Sequence, residues 1–155
     1  MQGGHAPMLT VSSRISTDRE PWSEGLPSRH ADWIAQAKRD FAHAEEASKA
    51  GHYEWACFAA HKSGEKALIA LLLKLGVRVI AGHSIRQMLD TLKRRQRVST
   101  ELVEAARVLD RHYIPSRYPD AHPAGAPFNY YTKQEATEAI LHARTIVRFC
   151  ESHIA

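Results

Sequence analysis

The most regular run of apolar positions in the chain extends from Tyr53 to Leu75. Apolar or small residues recur at Tyr53, Ala56, Cys57, Ala60, Gly64, Ala67, Leu68, Leu71, Leu72 and Leu75, the three-and-four spacing that lines one face of a helix. Trp55, Phe58, Ala59, Ile69, Ala70 and Leu73 fall off that face, so this helix is apolar on most sides and belongs in the middle of a bundle. Its first half is lined with Ala, Ser and Gly, which let another backbone approach closely. Its second half is rich in Leu, which fills volume. Gly76 ends it, because glycine takes the left-handed conformation after a helix without strain.

Weaker periodicities flank this helix. Asp32 as N-cap opens a helix running to about Lys49, with Trp33, Ala37, Phe41 and Ala44 on its buried stripe. Gly51 leaves only a short turn before Tyr53, so these two helices must form an antiparallel hairpin. Ser84 followed by Gln87 predicts a capped third helix burying Ile85, Met88, Leu89 and Leu92. A fourth begins near Ser99 with Leu102, Ala105, Ala106 and Leu109. The last starts at Thr132 with Glu135 in capping-box register and buries Ala136, Ala139, Ile140, Ala143, Val147 and Cys150. Between them Ile114 to Tyr131 carries four prolines and a glycine, which argues against regular structure there. Nothing alternates as a strand would. The pattern predicts an all-α, up-and-down antiparallel bundle of about five helices, with a long proline-rich loop before the last.

Composition sharpens this. With 155 residues, 44% apolar and 25% charged, the chain suits one soluble domain of ordinary make-up. Residues 1–30 hold the breakers Gly3, Gly4, Pro7, Pro21, Gly25 and Pro27 and read as a flexible leader, in which Trp22 and Leu26 are the one candidate anchor; residues 31–155 form the bundle. Arg14, Arg19 and Arg29 cancel Asp18, Glu20 and Glu24 there, so the net charge of +4 belongs to the bundle and permits an acidic partner such as RNA. No apolar run reaches membrane-span length, and no basic-then-apolar leader is present. Cys57 and Cys150, both on apolar faces, read as free buried thiols. These features predict a cytoplasmic protein that is not bound to a membrane.

Ala56, Phe58, Glu65, Lys66, Ala67 and Leu68 on the central helix are followed by His83-Ser84-Ile85, then by Arg-Tyr-Pro-Asp at Arg117 to Asp120, then by an alanine-rich last helix. In order and spacing this resembles the HEPN domain (higher eukaryotes and prokaryotes nucleotide-binding), in its bacterial Arg-Tyr-Pro-Asp type, over about Asp32 to Ala155. One departure is that His61 and Lys62 stand where a glutamine pair is usual before Glu-Lys. The resemblance implies a helical bundle, commonly a homodimer. Many such domains are metal-independent ribonucleases with an Arg, four to six residues, then His. Others are inactive nucleotide-binding or interaction modules, often encoded beside a minimal nucleotidyltransferase as toxin and antitoxin. The off-face residues Trp55 and Phe58 also suit a dimer contact.

Arg117 and His122 satisfy the Arg-His spacing as candidate catalytic residues, with Tyr118 and Asp120 supporting. Arginine offers a bidentate fork to phosphate, and histidine moves protons near neutral pH. The same spacing recurs at Arg78 with His83, Arg107 with His112 and Arg148 with His153; only the Arg-Tyr-Pro-Asp context selects the first pair. The structural alternative has Arg117 pinning its loop through Asp120, with His122 an exposed loop residue. Lys93, Arg94, Arg95 and Arg97 either complement the end of the third helix or contact phosphates. Glu65 and Lys66 read as a helix-surface pair, within reach of orienting Arg117. The histidines lack zinc-site spacing and the glycines lack a phosphate-loop pattern, so no metal or cofactor is expected.

Overall fold

A computed structural model describes residues 28–155. The leader and its Trp22 and Leu26 anchor therefore lie outside the described residues, apart from the last few positions. The described chain is helical throughout: α1 (His30–Lys49), α2 (Tyr53–Lys74), α3 (Ile85–Leu92), α4 (Thr100–Asp110), a 3-10 turn (Pro119–Ala121), the four-residue α5 (Pro127–Tyr130) and α6 (Lys133–Ile154). Strands are absent among the described residues.

α2 is the axis of the bundle. It packs most extensively on α1 and α6, and also meets α3, α4 and α5. Ala56, Cys57, Ala60, Ala67, Leu68 and Leu71 are fully buried, as the apolar pattern requires. Gly64 is a crowded position on α2. A Cβ there would lie 3.1 Å from Leu109, 3.2 Å from Ile85 and 3.5 Å from Ile146, so α4, α3 and α6 all press against this one position. The Ser63 hydroxyl donates to the Ala37 carbonyl across the α1–α2 contact, at 2.8 Å. The hairpin turn closes through Gly51 at φ 81°, a left-handed backbone that suits glycine.

Three local expectations change. α1 starts at His30 after Arg29 in the left-handed region, and Asp32 is no N-cap: it lies in the first turn and accepts from Arg29 Nε at 2.9 Å. Trp33 remains 36% exposed and Phe41 only half-buried, because α1 is an outer helix with one contact face. The proline-rich segment is a loop of turns and bends, as expected, but it holds two short helices. Pro119 and Pro127 each occupy the first turn of a short helix, where the missing N–H costs nothing. Ser84 and Ser99 accept from the N–H groups of Gln87 and Leu102, and the Thr132–Glu135 capping box forms in both directions.

Candidate nucleic-acid interface

A polar cluster sits on one side of α2, built from three places in the chain. α2 contributes Phe58, His61, Lys62 and Glu65, one turn apart on a single face. The loop before α3 contributes His83. The hydrogen-bonded turns after α4 contribute Tyr113 and Arg117. Tyr113 is the hub: the His83 ring stacks on it at 4.9 Å between centres, His61 lies at 5.1 Å, Lys62 Nζ at 4.9 Å and Arg117 Cζ at 4.6 Å.

Arg117 is held by its inner edge. Its Nε donates to the Tyr113 carbonyl at 2.9 Å, and the guanidinium also lies 4.4 Å from the Phe58 ring and 4.9 Å from the Tyr118 ring. Planar stacking of this kind suits arginine, whose charge is delocalised and weakly hydrated. Only Nη1 has a further protein contact among the described residues, the Tyr118 hydroxyl at 3.4 Å. The outer edge of the fork stays available to an acceptor such as phosphate.

Glu65 is almost wholly buried, which corrects its reading as a surface residue. One carboxylate oxygen takes Lys62 Nζ at 3.2 Å and the other takes His83 Nδ1 at 3.1 Å. Burial of a carboxylate is tolerated here because both oxygens meet cationic or N–H donors. Lys66 turns the other way and pairs with Asp40 of α1 at 2.6 Å, so neither Glu65 nor Lys66 orients Arg117.

The backbone under His83 is anchored by Asp110 at the end of α4. Its carboxylate accepts from the N–H groups of Ile85 at 2.9 Å and Arg86 at 3.1 Å and from the Ser84 hydroxyl at 3.0 Å, capping α3 from another helix. His61 Nε2 lies 3.3 Å from Asp110 and 3.1 Å from the His83 carbonyl, both acceptors, so Nε2 carries a proton and serves the two together. Burial alone raises the Asp110 carboxyl pKa, but the hydrogen bond from His61 and those from Arg86, Ile85 and Ser84 outweigh it and hold the group below its ordinary value. Asp110→Ala strands these donors around a buried imidazole. It is expected to cost about 2–3 kcal/mol in urea melts and to speed hydrogen exchange at Ile85 and Arg86.

His122 faces elsewhere. Its Nε2 donates to the Pro115 carbonyl at 2.7 Å, and its ring stacks on Tyr130 at 4.3 Å. It lines a cleft of about 340 Å³ with His112, Tyr131 and Glu135, whereas Arg117 lines one of about 400 Å³ with Trp55 and Phe128. No hydrogen bond or stacking contact joins Arg117 to His122. Asp120 is exposed and makes no contact with Arg117, whose loop is pinned through the Tyr113 carbonyl and three rings instead.

The HEPN domain model matches residues 30–153. The chain belongs to the HEPN domain family. Its fold matches TT1696 from Thermus thermophilus with a TM-score of 0.79 at 46% identity, covering 82% of this chain and 99% of that one. ST0689, an archaeal HEPN homologue, matches with a TM-score of 0.71 at 38% identity, covering 82% and 98%. An HEPN domain protein from Thermotoga maritima matches with a TM-score of 0.63 at 33% identity, covering 78% and 95%. No curated protein matched the sequence.

Within this HEPN domain the basic run is partly structural. Arg95 Nη1 donates to the Leu75 carbonyl at 2.9 Å, closing the end of α2, and Lys93 lies 3.6 Å from Asp90. Arg94 and Arg97 are exposed and carry no ion pair among the described residues. Both cysteines are free and buried. Burial, reinforced by Glu135, Glu54 and Glu138, pushes the Cys57 thiol up to about 12, so it is no nucleophile at neutral pH. Among the described residues no helix is long and apolar enough to cross a membrane, and no cluster of three or more His, Cys, Asp or Glu side chains has metal-site geometry.

The residues that sequence reasoning passed over are Tyr113 and Asp110, together with any joint role for His61, Lys62, Glu65 and His83. Two signals were present: the departure at His61-Lys62 and the His-Ser-Ile motif. They meet in space across Tyr113.

Proposed function

We propose that this HEPN domain binds single-stranded RNA across the face that carries Lys62 and Arg117. The observation that supports this most is the stacked guanidinium with its outer edge open, set among Trp55, Tyr118 and Phe128, which are 50%, 46% and 66% exposed. Exposed rings interleaved with fixed cations suit unstacked bases and their phosphates, and the charge of +4 agrees. Anisotropy of a labelled single-stranded RNA at low salt tests it. Arg117→Ala is expected to weaken binding about tenfold and to lower the salt slope by about one. Arg107→Ala, which removes a charge paired with Glu104 on the exposed side of α4, should change binding less than about twofold. Equal affinity of Arg117→Ala and the unaltered protein would remove the reading.

The finer reading drawn from the family is a metal-independent ribonuclease using Arg117 and His122, as the toxin partnered by a minimal nucleotidyltransferase. With the two side chains in different clefts of one chain, it requires a homodimer whose second copy completes the site. Light scattering at tens of micromolar, together with cleavage by His122→Ala in EDTA, tests that arrangement. A monomer, or a His122→Ala variant that cuts as well as the parent, would exclude it.

A further inference from the structure

We infer that Glu65 and His83 form a proton-transfer dyad at the RNA-binding face, with His83 as a catalytic residue and Glu65 as its positioning residue. This rests on the RNA-binding reading above and assigns the base for RNA cleavage to a histidine other than His122.

An exposed imidazole is held firmly at this face. The His83 side chain is 53% accessible, yet three contacts fix it: Nδ1 on Glu65, the ring on Tyr113, and its backbone carbonyl on His61. An exposed histidine with no task has no need of a buried carboxylate behind it. Glu65 is an acceptor only, so the proton of the neutral imidazole lies on Nδ1. Lys62, 3.5 Å from the same nitrogen, already donates to the other Glu65 oxygen. Nε2 is therefore the basic nitrogen. It has no hydrogen-bond partner among the described residues, on a side chain that is 53% accessible. Buried carboxylate, oriented imidazole and open Nε2 make up the geometry of a general base.

The surroundings select the substrate. Lys62 and Arg117 each hold a positive charge within 5 Å of the Tyr113 ring centre, as His83 holds its ring, so a phosphate on this face meets cations and a base together. In an RNA strand the group beside a phosphate that needs a base is the ribose 2′-hydroxyl. His83 Nε2 takes its proton as O2′ bonds to the adjacent phosphorus. The bond from phosphorus to O5′ breaks, and a water molecule protonates O5′. The hydroxide so formed takes the proton from the imidazolium. The products are a 2′,3′-cyclic phosphate and a 5′-hydroxyl. Arg117 and Lys62 stabilise the charge gathering on the phosphate oxygens.

The test is cleavage of a single-stranded RNA oligonucleotide by the full chain in EDTA, with binding measured in parallel. His83→Ala is expected to lower kcat by about 100-fold or more with RNA affinity nearly unchanged. Added imidazole should restore part of the activity of His83→Gly. Glu65→Gln, which keeps the volume of the buried side chain but sets an amide donor against Lys62 or His83, is expected to lower kcat about tenfold with KM unchanged, measured well below its somewhat lowered melting temperature. A purely structural Glu65 would instead leave kcat of the folded protein unchanged or change KM with it. Protein that binds RNA but leaves it intact overturns the dyad and spares the binding reading. Protein that does not bind RNA overturns both. Cleavage that survives His83→Ala and is lost in His122→Ala assigns the proton transfer to the other histidine and overturns the dyad.

Discussion

Leu71→Ala is expected to destabilise the protein by about 2–5 kcal/mol, the range for truncating a fully buried leucine and leaving a cavity. Leu71 is completely inaccessible on α2, which its neighbours surround. Leu73, two residues on, is only half-buried and gives the internal comparison: its truncation should cost distinctly less. Urea melts of both variants check the pair. A loss below about 1 kcal/mol at Leu71 would mean that α2 does not form the axis of the core.

Acid is expected to act through His112. This imidazole is buried against Tyr131, with Nδ1 3.1 Å from the tyrosine hydroxyl. Burial, then the electrostatic influence of neighbouring His61 and Arg111, lowers its pKa from 6.5 to about 4. The unfolded chain therefore takes up a proton below pH 6.5 that the folded chain refuses until about pH 4. Stability contributed by the neutral ring is complete above pH 6.5 and drains away as pH falls toward 4, by up to about 3 kcal/mol in all. Asp110 adds a second, lower window. Its carboxyl is depressed below 3.8, so its contribution survives until the pH falls below that value and is lost beyond it. Melts from pH 8 to pH 3 should show both declines. His112→Gln should flatten the upper one and leave the lower in place. An unchanged slope between pH 6.5 and 4 in that variant would place the titration elsewhere.

The two ends of this account were not equally legible in the residues. α2, its glycine stop and the caps at Ser84, Ser99 and Thr132 rest on local rules, in which a residue and its neighbours three or four positions away settle the matter. Those rules also favoured Asp32 as a cap, where the short reach of Arg29 drew the carboxylate into an ion pair instead. The polar face rests on no local rule. Glu65 sits among charged residues at helical spacing, and although Lys62 one turn back is a local partner, its burial also needs His83, eighteen positions on, and Tyr113 beyond that. Arg117 stood out through its motif, but its spacing to His122 measures distance along the chain. The 3-10 turn Pro119–Ala121 lies between them, and the two side chains line different clefts. Asp110 reads as the ordinary last residue of α4, because its partners belong to the start of another helix.

Gly64 and the small residues around it also decide what kinds of change α2 can absorb. At Ala56, Ala60, Gly64 and Ala67 the core-facing side of the helix carries hardly any side chain of its own, and at Gly64 the side chains of Leu109, Ile85 and Ile146 already fill the space a Cβ would need, so there is little to remove there and no room for more. From Leu68 onward the contacts are made by long side chains, which can be shortened but hardly enlarged. The first half of the helix is therefore intolerant of growth and the second of loss. Sequence drift along this single helix should obey opposite size limits on either side of about Ala67. Exchanging the two halves would fail even though composition and total volume were kept.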